Sequence, residues 1–138
     1  MGEAEVRQQN DLPCFSVTAD EERRHGAPRV KAIVVSDASS DRVIDVWSFV
    51  LPSARAQRVS SDACIGYGRA PGGAAATQAL PLQAGRVYEV FLNAVAADGS
   101  DPTFGYTATF CLMVQADGTS KVKQLHGGRA ATCESPAK

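Results

Sequence analysis

Apolar and polar positions alternate with a period of two through most of this chain. The cleanest run is residues 87–95. Tyr88, Val90, Leu92 and Ala94 fall on one side and Val87, Glu89, Phe91, Asn93 and Val95 on the other, which predicts a half-buried strand. Residues 12–17 read the same way, with Phe15 and Val17 opposite Cys14 and Ser16, and Pro13 tolerable only near a strand start or on an edge. Residues 20–28 are a charged loop closed by Gly26 and Pro28. A strand over 29–35, a polar turn over 36–41 and a long return strand over 42–51 follow, the last stopped by Pro52. On the return strand Val43, Trp47 and Phe49 share a face that Asp45 interrupts, and Ile44, Val46 and Val50 share the other. A short strand is expected over 63–67, with Ala63 and Ile65 opposite Cys64. A Gly/Ala/Pro-rich loop covers 68–79. After a turn at 96–102, residues 104–114 alternate Tyr106, Ala108, Phe110, Leu112 and Val114 against Thr107, Thr109, Cys111 and Met113. Asp117-Gly118 signals a hairpin into a last strand over 120–125.

Short strands punctuated by turns, with no convincing helix, predict an all-β fold, an antiparallel sandwich of about seven to eight strands. Leu82-Gln83-Ala84-Gly85 ahead of Tyr88 resembles the tyrosine corner of fibronectin type III and other Ig-like domains. In that corner the ring enters the core and the hydroxyl meets backbone a few residues upstream. The expected organisation is a flexible tether over 1–10, a sandwich over 11–126 and a C-terminal tail over 127–138.

A chain of 138 residues, 44% of them hydrophobic, can bury a core without metal or crosslinks. A net charge of −1 with both signs spread along the chain argues against a nucleic-acid partner, and no apolar run reaches the roughly 18 residues of a membrane span. Cys14, Cys64, Cys111 and Cys133 include no C-x-x-C pair, and His25 and His126 lie near none of them in sequence, so zinc is a weak reading. Four spaced cysteines suit an exported, oxidised protein. If Phe15, Val17, Ala63 and Ile65 face the core, Cys14 and Cys64 both point away from it. In an Ig-like order their strands are neighbours, and directly opposed residues come within about 4.5 Å, which is disulfide range. Cys111 is then left for Cys133, pinning the tail.

The first residues show no signal peptide, leaving a cytosolic protein or one whose signal has been removed. Residues 2–10 read as the tether after a lipoprotein cleavage site, Met1 standing in place of the lipidated cysteine. The only membrane contact expected is through such an anchor.

No catalytic constellation is visible: there is no G-x-S-x-G elbow, H-E-x-x-H or Walker loop. His25 and His126 read as solvated, and no cofactor or metal is expected. A binding module is therefore expected rather than an enzyme. In an Ig-like order the loops 20–28 and 98–104 share one end, presenting Glu21, Glu22, Arg23, Arg24, Asp98 and Asp101 as a mixed-charge surface for a partner. Trp47 is expected in the core. Tyr67, between two glycines, is the candidate exposed aromatic.

Several strings in order resemble one family. These are Cys14-Phe-Ser-Val17, Ala63-Cys-Ile65, Gly85-Arg-Val-Tyr-Glu-Val90, Phe110-Cys-Leu-Met-Val114 and Asp117-Gly-Thr-Ser-Lys-Val122. Together they resemble the periplasmic lipoprotein immunity proteins of type VI secretion. The family's two-cysteine pattern falls on Cys14 and Cys64, while Cys111 and Cys133 are an addition. The resemblance implies a periplasmic protein that binds and occludes a cognate secreted antibacterial effector. The alternative is a structural or adhesive envelope lipoprotein domain that binds other envelope components.

Overall fold

A computed structural model describes residues 2–95, 105–126 and 133. The described residues are predominantly β, as expected. The strands are β1 (Gly2–Gln9), β2 (Leu12–Val17), β3 (Arg29–Asp37), β4 (Ile44–Val50), β5 (Gln57–Arg58), β6 (Ile65–Gly66), β7 (Ala75–Ala76), β8 (Val87–Val95), β9 (Gly105–Val114) and β10 (Ser120–Leu125). A hydrogen-bonded path runs β6-β2-β1-β9-β8-β3-β4-β7, with β10 on β9 and β5 on β3. All pairings are antiparallel except that of β1 with β9, where Gly2 meets Tyr106 and Glu3 meets Thr107 in parallel. The expected antiparallel arrangement is therefore corrected to a mixed, curled sheet.

The curl is what encloses the core. Phe15 on β2 and Phe110 on β9 are separated by β1 in the sheet, yet their rings lie 5.7 Å apart. Tyr88 stacks on Phe110 at 5.6 Å, and Trp47 packs on Phe49 at 5.5 Å and edge-on to Tyr67 at 5.3 Å. Val90, Leu92, Ile33, Val35 and Val17 fill the space between. Each such side chain contributes about 1.5–3 kcal/mol on burial.

Two bulges let charged residues sit in apolar strands. Val35 pairs with Trp47 but Ser36 pairs with Asp45, leaving Val46 as the extra residue. That slip turns Asp45 off the Trp47–Phe49 face it interrupts in sequence. Between Val30 and Ala32 a second slip takes Lys31 out of phase with Ile33 and Val35.

Three expectations are overturned in the first part of the chain. The leader expected as a flexible tether is strand β1, because Ala4 and Val6 alternate into the core. Its turn into β2 carries Asn10 and Asp11 at φ 51° and 66°, the left-handed geometry that two-residue hairpins require. Between β1 and β10, side-chain amides take the place of a ladder. Gln124 accepts from Val6 N at 2.9 Å and donates to Ala4 O at 3.0 Å, and Gln8 accepts from Val122 N at 2.9 Å. The charged loop 20–28 is instead largely a helix, α1 (Ala19–His25), capped by Thr18, whose Oγ1 accepts from Glu21 N at 3.1 Å. The stretch 68–79, expected as a loop, contains the short strand β7, which lies along β4, with Thr77 bonded to Ser48 and Leu80 N to Val46 O.

Both expected disulfides are present, Cys14–Cys64 with Cα atoms 5.5 Å apart and Cys111–Cys133 at 6.0 Å. The expected pairing register is off by two, since Cys14 faces Gly66 and Cys64 lies just before β6. Ala63 is exposed, bridging Ser60 instead of entering the core.

Candidate recognition surface

The charged helix α1 is tied to the body of the protein by the residues expected to recognise a partner. Glu21 Oε2 accepts from Glu3 N at 2.7 Å, and Glu22 Oε1 accepts from Ser61 N at 2.6 Å. Arg23 and Arg24 are exposed, and each pairs with Asp20, at 2.9 and 3.2 Å. His25 lies 3.8 Å from Glu21. The helix thus spends its carboxylates internally, and exposed pairs of this kind contribute little. Asp98 and Asp101, expected to join this surface, lie outside the described residues.

Tyr67 is corrected from exposed to buried, at 5% exposure. Its hydroxyl donates to Leu80 O at 2.6 Å and lies 3.3 Å from Val46 O, so the side chain ties the 68–80 segment to β4. Burial pushes its hydroxyl pKa up to about 12. Tyr88 forms the corner its motif resembles: the hydroxyl accepts from Gln83 N at 2.8 Å, and Gly85 takes φ 86° in the turn. Beside it, Asp37 is desolvated, but hydrogen bonds from Arg86 and Ser39 outweigh this and hold its carboxyl below the ordinary range.

The surface that reading by charge missed is the outer face of β9-β8-β3-β4. Three rows cross it. Val50, Ala32, Asn93 and Gly105 form the first; Ser48, Val34, Phe91 and Thr107 the second; Asp45, Ser36, Glu89 and Thr109 the third. Glu3 extends the second row through its register with Thr107. No Lys or Arg stands in these rows, whereas three carboxylates do. Phe91 is partly exposed, and its ring lies directly over Gly105, where an added Cβ would come within 2.7 Å of it. Val50 is 58% exposed.

At the β1 and β10 side of this face is an open cavity of about 340 Å³ lined by Glu3, Glu89, Thr107, Thr109, Gln124 and His126. Its walls are held in place. Both polar atoms of the Gln124 amide are bonded to β1, and Thr107 Oγ1 donates to Val90 O at 3.2 Å. His126 stands at the mouth, 78% exposed, with Nδ1 4.0 Å from Glu3 Oε2. Beyond it, Val87, Cys111 and Leu125 form a second small core under Met113 and Cys133.

Among the described residues no group of three or more His, Cys, Asp or Glu side chains is placed to hold a metal. No helix among them is long and apolar enough to cross a membrane. The outer face carries a partly exposed aromatic, apolar neighbours and carboxylates at a cavity rim. Comparison with family models, with curated proteins and with solved structures gives no match.

Proposed function

We propose that this chain is an immunity protein that binds a cognate secreted antibacterial effector in the periplasm and occludes its active site. The observation that carries the reading is the Cys14–Cys64 bridge, formed where the two-cysteine pattern of the type VI lipoprotein immunity proteins falls. Two disulfides are typical of an oxidising, extracytoplasmic setting. The other strings of the resemblance fall on the tyrosine corner with the start of β8, on β9 and on the β9–β10 hairpin. We read the fold as Ig-like. The order β4-β3-β8-β9 and the order β6-β2-β1 correspond to the two sheets of such a sandwich, with Tyr88 at the corner and β1 joining the sheets at β9. Attachment to the membrane, on this reading, is through a lipid anchor ahead of β1.

The test uses the products of adjacent genes, each expressed with and without this chain. A neighbour that arrests growth when exported, growth restored by this chain, and a purified complex of nanomolar affinity are the expected results. If no adjacent product binds and none is neutralised, the reading is wrong. Binding to purified envelope components instead would favour the structural or adhesive alternative.

A further inference from the structure

The two halves of the Cys14–Cys64 bridge have different surroundings. Cys14 is fully buried on β2. Cys64 is half-buried and lines an open cavity of about 350 Å³ with Arg7, Gln8, Gln9, Asp62 and Ala63. A reagent that enters this cavity meets the sulfur of Cys64 first. In the second bridge Cys111 is fully buried, and Cys133 packs with Met113 on Val87 and Leu125.

The groups around Cys14 suit a sulfur released from the bridge. Arg7 is its direct cross-strand neighbour, which puts the two side chains on one face with Cβ atoms about 4.5–5.5 Å apart. Arg7 Nη1 donates to Ser61 O at 2.6 Å, which anchors the guanidinium. Its Nε is shielded from water, has no hydrogen-bond partner and lies 3.6 Å from Glu5 Oε1. Gln9 Oε1 lies 3.3 Å from Cys14 Sγ and 3.9 Å from Cys64 Sγ. A disulfide sulfur has no proton to donate to that oxygen, but a thiol has one. A thiolate at Cys14 thus has a fixed cation beside it, and a thiol there has an acceptor. Besides Glu5, the site holds the Asp62 carboxylate, which a hydrogen bond from Ser60 keeps below its ordinary pKa. Arg58 lies near enough to Asp62 to offset part of its charge.

We propose that Cys64 is a thiol-exchange site, attacked by a low-molecular-weight thiol, with Cys14 as the leaving group and Arg7 as the residue that steadies the released thiolate. The incoming thiolate forms a bond to Cys64 Sγ. The Cys14–Cys64 bond breaks, and its electron pair stays on Cys14 Sγ. The products are a mixed disulfide on Cys64 and a thiolate on Cys14; return attack by that thiolate closes the bridge and expels the small thiol. With the bridge open, residues 60–66 are held to β2 by the two-residue β6 ladder and by Tyr67 N bonded to Pro13 O at 2.9 Å. Exchange therefore loosens the edge of the sheet where Ile65 lies beside the buried Phe15. The site does not depend on which partner the chain binds.

The test incubates the full oxidised chain with glutathione in native buffer, traps free thiols with iodoacetamide and maps both by peptide mass spectrometry. The expected first product carries glutathione on Cys64 and the alkyl group on Cys14, with Cys111–Cys133 still closed. Arg7→Gln should slow its formation at least about threefold, and Arg7→Lys should keep most of the parent rate. The direction is diagnostic, because a substitution that merely loosened the fold would speed exchange. Asp62→Asn should speed it, by removing a negative charge from the path of the incoming thiolate. Asp62 is exposed, so this variant reads the same electrostatics even if Arg7→Gln folds poorly. Glutathione on Cys14, or earlier opening of Cys111–Cys133, would overturn the proposal. So would exchange no faster than global unfolding, an Arg7→Gln rate equal to or above the parent's, or an Asp62→Asn rate no greater than the parent's.

Discussion

Phe91 and Leu92 are neighbours on one strand and have opposite surroundings. Leu92 points into the curl of the sheet, is fully buried and shares the core with Ile33 and Tyr106. Phe91, one residue earlier, points outward beside Val34 and Thr107 and stays partly exposed. The inner face is filled by rings in mutual contact, whereas the outer face carries small side chains, carboxylates and one aromatic. The difference separates two tasks. The inner residues specify the fold, and the outer ones are free to specify something else.

The largest effect that this contrast implies is on the inner face. Trp47 is 1% exposed and touches the rings of Phe49 and Tyr67. Trp47→Ala should cost about 3–5 kcal/mol in chemical denaturation, because the cavity left behind cannot collapse around several rigid neighbours. A cost near that of a surface change would mean that the inner face does not carry the fold.

The disulfides sharpen the comparison, since one ties β2 to the residue just before β6 and the other fastens Cys133 over the outer side. They span 50 and 22 residues. Loop-closure entropy then gives about 4 kcal/mol for Cys14–Cys64 and about 3.4 kcal/mol for Cys111–Cys133. Denaturation of the two double Cys→Ser variants should preserve that order. A larger loss from the Cys111–Cys133 pair would place Val87, Cys111 and Leu125 among the main determinants of stability.

How much of this was legible follows the same division. Strict alternation with a turn motif in front made Tyr88, Val90, Leu92 and the corner readable, and the pleat argument found both cysteine pairs. Other features depend on what lies across the sheet. Asp45 looked like a fault in a core strand until the bulge at Val46 turned it outward. The polar leader hid the Ala4–Val6 alternation. The charge run in α1 obscured a Thr18 cap followed three residues later by Glu21, a visible helix signal. Tyr67 looked exposed between two glycines because the carbonyl it bonds, that of Leu80, is thirteen residues away. The outer cavity joins Glu3, Glu89 and His126 from three distant strings, and no local pattern announces it.

Two buried tyrosines give a smaller effect. Tyr88→Phe removes the acceptor for Gln83 N and Tyr67→Phe removes the donor to Leu80 O, and each should cost about 1 kcal/mol. Tyr67 also carries a pH signature. Burial favours its neutral form, so its folded pKa of about 12 lies above the unfolded value of about 10. That contribution is complete below the unfolded value and is lost as pH rises through the folded one. Alkaline denaturation should therefore be less steep over this range in Tyr67→Phe than in the parent. Identical profiles would show that the hydroxyl is more solvated than its buried position implies.

The smallest expected effect is the most direct probe of the two faces. Leu92→Ala should cost about 2–5 kcal/mol, because a fully buried leucine is replaced by a void. Phe91→Ser, one position away, should cost less, since the ring has water on one side already and its loss leaves no sealed cavity. Thermal unfolding of the two variants beside the parent gives the ratio directly. If Phe91→Ser destabilised the protein as much as Leu92→Ala, the aromatic would be part of the core. A near-neutral result would mean that Phe91 stays on the outer face at little benefit to the fold.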